Sequence, residues 1–150
     1  MIHAPPERES KIQRSGIIRL RRLGVMLFRR NVGAMADQSG NHVRFAAAGQ
    51  SDTYGWVIAT GRHIELEWKR PGNKPTAHQL RWLKACSESG AIAFWADSVH
   101  IAELVMSAIL EGGEIVWRDG CDYDVVINSP SSQLPPEDPP HDQTDASTSD

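Results

Sequence analysis

The chain has 150 residues, 40% of them hydrophobic and 23% charged, which accommodates one domain around one core and excludes two comfortable ones. Its formal charge of −3 averages two unlike regions: residues 129–150 carry Glu137, Asp138, Asp142, Asp145 and Asp150 with no Lys or Arg, and the remainder holds 14 acidic against 16 basic side chains. No apolar run approaches the roughly 18 residues of a membrane span, and the stretch after Arg21-Arg22 is too short for an export signal, so a cytoplasmic protein without a membrane partner is expected.

In chain order, residues 1–8 read as a disordered lead-in. Ile12, Ile17, Ile18, Leu20 and Leu23 predict an amphipathic helix from Glu9 to a stop at Gly24, despite Ser15-Gly16 in its middle. Residues 25–28 read as a short strand, 31–40 as a loop broken by Gly33 and Gly40, 42–45 as a short strand and 46–51 as a turn. Residues 53–60 and 62–69 are extended segments around Thr60-Gly61, a candidate two-residue hairpin turn. In the second segment Ile64, Leu66 and Trp68 alternate with Glu65, Glu67 and Lys69, so the three charged residues share one face of a strand. Pro71-Gly72-Asn73 ends it. Thr76 is placed to cap a helix to about Ser89, with Leu80, Leu83 and Cys86 inward and Gly90 as its stop. Residues 91–96 form a buried-type strand. Asp97 or Ser98 caps a last helix with Ile101, Leu104, Val105, Ala108 and Ile109 inward, closing at Gly112-Gly113. Segments 114–117 and 123–127 suit an extra hairpin across Asp119-Gly120, within residues 113–128. From 129 to 150 Pro, Ser, Asp and Gln dominate, and a disordered acidic tail is expected. The order predicts an α/β fold with a mixed central sheet flanked by helices.

A two-residue turn at Thr60-Gly61 would set Ala59 opposite Arg62 and Asp52 opposite Lys69, one diagonal step from Glu67. Diagonal neighbours lie roughly 7–8 Å apart, close enough for two carboxylates to reach one ion. Hard oxygen ligands suit Mg²⁺ or Mn²⁺, which lower the pKa of bound water and neutralise charge on a phosphate under attack. A nearby lysine adds stabilisation of developing negative charge. The same alternation also describes an ordinary charged strand face, and spacing alone does not separate the two.

Three stretches resemble a known pattern: Gly49-Gln50-Ser51-Asp52; Gly61 through Glu67-Trp68-Lys69 to Pro71-Gly72; and Thr76-Ala77-His78-Gln79. Together they look like Gly-x-x-Asp, a hairpin into Glu-x-Lys-x-x-x-Gly and a following helix with an early Gln. This is the pattern of the virus-type replication-repair nuclease (VRR-NUC) family. Glu9-Ser10-Lys11-Ile12-Gln13, then Phe28-Arg29-Arg30-Asn31-Val32-Gly33, is similar to the start of phage members, and 91–99 resembles the strand and helix cap that close the domain. The resemblance covers roughly 9–110, within a domain set at 9–112. It implies a PD-(D/E)xK restriction-endonuclease-like core, Mg²⁺ or Mn²⁺ dependence and cleavage of DNA. Carried over, Asp52 and Glu67 bind metal, the Trp68 carbonyl completes its shell, Glu9 holds the metal or its waters, Lys69 serves the attacking water, and Gln79 supports the site. Some phage members resemble Holliday-junction resolvases, which implies branched DNA, a homodimer and a phage or prophage setting in a bacterial host.

Glu65 departs from the pattern, since a second acid two residues before Glu67 leaves the register ambiguous; Glu67 is preferred because Lys69 and Pro71-Gly72 then fall in place. Arg29, Arg30, Arg44 and Lys74 are the candidate phosphate contacts, in a chain whose first thirty residues hold eight basic side chains against Glu7 and Glu9. The six histidines show no paired ligand spacing, no phosphate-binding glycine motif is present, and Cys86 and Cys121 read as reduced thiols. The five tryptophans read mainly as packing residues, with base stacking a minor alternative. The rival function is a non-catalytic DNA-binding or interaction module that keeps the nuclease fold; the clustering of Asp52, Glu67 and Lys69 argues against it.

Overall fold

A computed structural model describes residues 7–31, 33–44 and 46–127, with the backbone alone taken at positions 43 and 44. The expected lead-in falls largely outside these residues and the tail at 129–150 wholly so. The elements are α1 (Glu9–Arg21), β1 (Val25–Arg29), β2 (Ala34–Ala36), β3 (His42–Arg44), β4 (Thr53–Val57), β5 (His63–Trp68), α2 (Ala77–Glu88), β6 (Ile92–Ala96), α3 (Val99–Leu110), β7 (Gly113–Trp117) and β8 (Tyr123–Ile127). They build a mixed α/β fold around a four-stranded sheet of order β1-β4-β5-β6, with β5 and β6 parallel and the other pairs antiparallel.

β5 lies inside the sheet and is covered on both faces. Its apolar residues Ile64, Leu66 and Trp68 are each 0% exposed and pack with Ile12 and Leu20 of α1 and Ala102 and Met106 of α3. α1 and α3 thus share one face of the sheet, while α2 crosses the other, packed on β5 and β6. The glycine in the middle of α1, unfavourable by propensity, is explained by the Trp68 ring: a Cβ on Gly16 would stand 2.0 Å from Cη2 of that indole. Gly16→Ala is therefore expected to lower stability by about 1–3 kcal/mol in denaturant melts, because the displaced ring is held on every side.

Four expectations are corrected. The β4–β5 connection is a four-residue loop, 58–61. The Val57 N–H donates to the Arg62 carbonyl, the Gly61 N–H donates to the Val57 carbonyl, and Gly61 takes a φ of 72°. Register therefore runs Thr53↔Leu66 and Trp56↔His63, two residues away from a Thr60-Gly61 turn, and Asp52 falls opposite Glu67 rather than Lys69. The loop predicted at 31–40 contains β2, paired with β3 around a turn in which the Asp37 carboxylate accepts the Ser39 and Asn41 N–H groups. α3 buries Ala102, Met106 and Ile109, leaving Ile101 and Leu104 41% and 55% exposed. Its sequence is apolar nearly all round, so periodicity could not choose the inner face. On α2 only Leu83 is fully buried, and Leu80 and Cys86 are half-buried at the margin.

β7 and β8 pair as a separate hairpin that lies against α3 and β6. Tyr123 anchors it, its hydroxyl donating to the Trp95 carbonyl at 2.6 Å and its ring meeting Phe94 edge-on. Trp95 returns a bond from Nε1 to the Cys121 carbonyl. Both cysteines are free. Among the described residues no helix is long and apolar enough to cross a membrane.

Candidate active site

The charged face of β5 opens into a cleft of about 390 Å³ lined by Glu9, Gln13, Arg29, Asp52, Glu67 and Lys69 among others. The six come from four places in the chain: the first half of α1, the end of β1, the residue before β4, and the end of β5. Asp52 and Glu67 meet because the β4–β5 register, continued one step past Thr53↔Leu66, sets them opposite each other, and the Asp52 N–H donates to Glu67 Oε2 at 3.2 Å. Lys69 donates from Nζ to Glu67 Oε1 at 2.7 Å. It sits on the same strand face as Glu67 because it is two residues on.

Gln79 joins this group from α2. Thr76 caps the helix, its hydroxyl accepting the Gln79 N–H while Gln79 Oε1 accepts the Thr76 N–H, a reciprocal capping box. The other end of the same amide donates from Nε2 to Glu67 Oε1. The Trp68 carbonyl is also aimed at the site. In a trans peptide the C=O and the following N–H point opposite ways, and the Lys69 N–H donates to Ala96 in β6. The Trp68 oxygen therefore faces the β4 side, where Asp52 stands.

Glu65 plays no part in this cluster. Arg30 donates to it twice, at 2.7 and 2.8 Å, Trp82 Nε1 donates at 3.0 Å, the Ser51 hydroxyl donates to Oε2, and His63 Nε2 lies 2.7 Å from Oε1. Burial alone would lift its pKa, but these partners outweigh burial and hold it down to about 2. The ambiguity between the two glutamates thus has a physical answer: Glu65 is fully partnered, and Glu67 faces the cleft.

Asp52 is in the opposite condition. Burial first, then the charge of Glu67 and that of Glu9, push its carboxyl up to about 7 against opposing contributions from Trp68 and Lys69. Burial also raises Glu67, although Lys69 pulls it back. Acids that resist ionisation beside one another are a site short of positive charge. The donors present are two carboxylates, a peptide carbonyl and room for water. Among the described residues no three His, Cys, Asp or Glu side chains converge as a ready-made ion cage. An all-oxygen set of low protein denticity fits Mg²⁺ or Mn²⁺, which keep several waters, better than it fits Zn²⁺.

The raised Asp52 has a stability consequence. The folded state holds the Asp52 proton more tightly than the unfolded chain, so its contribution is full below about pH 3.8 and is lost as pH rises through about 7. Asp52→Asn is expected to stabilise the metal-free protein by roughly 2–3 kcal/mol at pH 8 and hardly at all at pH 4, with partial exposure discounted. Thermal melts at the two values read it directly.

Of the expected phosphate contacts, Arg29 is exposed and lines the cleft. Arg30 is corrected: both Nη atoms are committed to Glu65 and to Ser51, so it positions a carboxylate instead of offering a free cation. Lys74 is exposed on the loop before α2, and the cleft walls do not include it. The Arg44 side chain lies outside the described residues. Glu9 does line the cleft. Sequence reasoning gave no role to Gln13, which is 5% exposed and donates from Nε2 to the Asp52 carbonyl and to Thr53 Oγ1, both at 3.2 Å. A polar residue one turn from Gly16 on a stripe that continues to Leu20 is the signal that could have found it. The Asp52 carbonyl also accepts the Arg30 N–H at 2.7 Å, so the backbone under the carboxylate is held from two sides. Comparison with known protein families and with curated proteins returns no match for this chain.

Proposed function

We propose that this chain is a Mg²⁺- or Mn²⁺-dependent DNA nuclease of the PD-(D/E)xK type, a VRR-NUC-like enzyme that hydrolyses phosphodiester bonds. The observation that carries the proposal is the Asp52 N–H donating to Glu67 Oε2 at 3.2 Å just past the end of the β4–β5 pairing, with Lys69 Nζ 2.7 Å from Glu67 Oε1 at the wall of an open cleft. The mixed sheet with the Glu-x-Lys strand inside it supports a restriction-endonuclease-like core. The Asp52 and Glu67 carboxylates and the Trp68 carbonyl would hold the metal, and Glu9 would approach its outer waters. A divalent cation bound there supplies Lewis acidity to a phosphate oxygen and acidifies water. Lys69 orients the attacking water and faces the charge that grows on the phosphate. Gln79 fixes the Glu67 carboxylate, Gln13 fixes the main chain of Asp52, and Arg29 receives the substrate backbone. A branched substrate, a homodimer and a phage setting complete the reading by way of the family resemblance.

Labelled duplex, flap and four-way-junction DNA, each with Mg²⁺, Mn²⁺ or EDTA, test it. Metal-dependent cutting that Lys69→Met removes is the expected result. DNA binding without cutting under every condition would overturn it in favour of a non-catalytic module.

A further inference from the structure

Among the described residues, α2 packs over the β5 and β6 part of the sheet face that carries Glu65 and Glu67. Over β1 and β4 the same face presents Phe28, Tyr54 and Trp56, as the register Phe28↔Tyr54↔Glu65 requires. The Phe28 ring stands 6.0 Å from Tyr54 and 5.6 Å from Trp56, tilted against both. Phe28 and Trp56 are 36% and 40% exposed, high values for large rings in the middle of strands. Guanidinium groups lie over the row, Arg21 at 5.5 Å from the Phe28 centroid and Arg30 at 4.7 Å from that of Tyr54. Tyr54 is two residues from Asp52, about 7 Å along the strand, so the row starts at the cleft and runs away from it.

We propose that this aromatic row is a stacking platform for unpaired bases of the nucleic-acid strand that enters the cleft. The proposal rests on the nuclease reading for what happens in the cleft, and names the substrate class: DNA with a single-stranded stretch beside the cut. Flat rings accept any base face, and a duplex keeps its base faces hidden, so the platform selects for unpaired strands. Charge complementarity favours this occupant. Phosphates would meet the exposed Arg21, whose Nε and Nη2 donate to the Leu27 carbonyl and whose guanidinium lies over Phe28, whereas a two-fold pairing of this face with a second copy would set the Arg21 side chains of the two copies against each other.

The full-length protein in EDTA, titrated into fluorescein-labelled oligothymidylate and into a blunt duplex, isolates binding from cleavage. Trp56→Ala is expected to weaken the single strand roughly tenfold and the duplex less than about twofold, with Trp56→Phe keeping most of the affinity. The same single-strand affinity in Trp56→Ala overturns the proposal, as does equal loss on both DNAs. A dimer in sedimentation that Trp56→Ala dissolves while oligothymidylate binding stays unchanged also overturns it, in favour of self-association. Because no metal is present, a catalytically dead protein that passes this test leaves the platform standing, and an active one that fails it leaves the nuclease standing.

Discussion

Glu67→Gln is expected to lower metal-dependent DNA cleavage by a factor on the order of 10²–10³ in single-turnover assays while the protein stays folded. The substitution keeps the volume of a side chain that is 2% exposed, so no cavity opens. It removes the negative charge that would share a cation with Asp52. It also replaces a pure acceptor by an amide, in a place where Lys69 Nζ, Gln79 Nε2 and the Asp52 N–H all donate. Glu65→Gln is the informative contrast. It sits two residues away on the same strand, yet its carboxylate serves Arg30, Ser51 and Trp82, so its loss should show in the melting temperature. The rate per folded molecule should change far less. Cleavage by Glu67→Gln within about twofold of wild type would remove this carboxylate from the chemistry.

Arg30→Ala is expected to be strongly destabilising, by about 3–5 kcal/mol at pH 7, because it strands a buried carboxylate. Glu65 is 1% exposed and holds its charge through Arg30 and three further partners. The sign of the pH dependence follows from its lowered pKa. In wild type the Glu65 contribution is present above about pH 4.5 and is lost as pH falls toward about 2. Without the guanidinium, burial lifts the carboxyl, which then takes up a proton at mildly acidic pH. The deficit of the variant should therefore shrink between pH 7 and pH 4, and adding Glu65→Gln should recover part of it at pH 7. Urea melts of the single and double variants at both pH values measure the coupling. A deficit below about 1 kcal/mol at pH 7 would mean that the pair is no more than a surface bridge.

How far the sequence alone reaches is clear from particular residues. The alternation from Ile64 to Lys69, the cap at Thr76 and the stop at Gly90 are local signals, and the structure places all three where they were expected. The two carboxylates were chosen correctly as neighbours, but through a wrong register, since loop closure at 58–61 depends on which hydrogen bonds Val57 makes and not on the Thr60-Gly61 pair alone. The union of Arg30 with Glu65 spans 35 positions and no local pattern announces it. Once it is seen, Arg30 becomes part of the scaffold and Glu67 is the glutamate of the two that lines the cleft. The inner face of α3 was illegible for a different reason, an excess of apolar candidates.

Position 79 shows two structural demands meeting in one side chain. As the third residue of α2 it closes the helix start, a task for which glutamate serves as well as glutamine. A glutamate there would bring a further negative charge against Glu67, in a place already crowded by Asp52 and Glu9. Only the neutral homologue can finish the helix and still hand a proton donor to the carboxylate. The first turn of α2 and the placing of Glu67 are therefore coupled: fraying of that turn takes away one of the three donors that hold this carboxylate, and one amide serves the helix start through its oxygen and the cleft through its nitrogen.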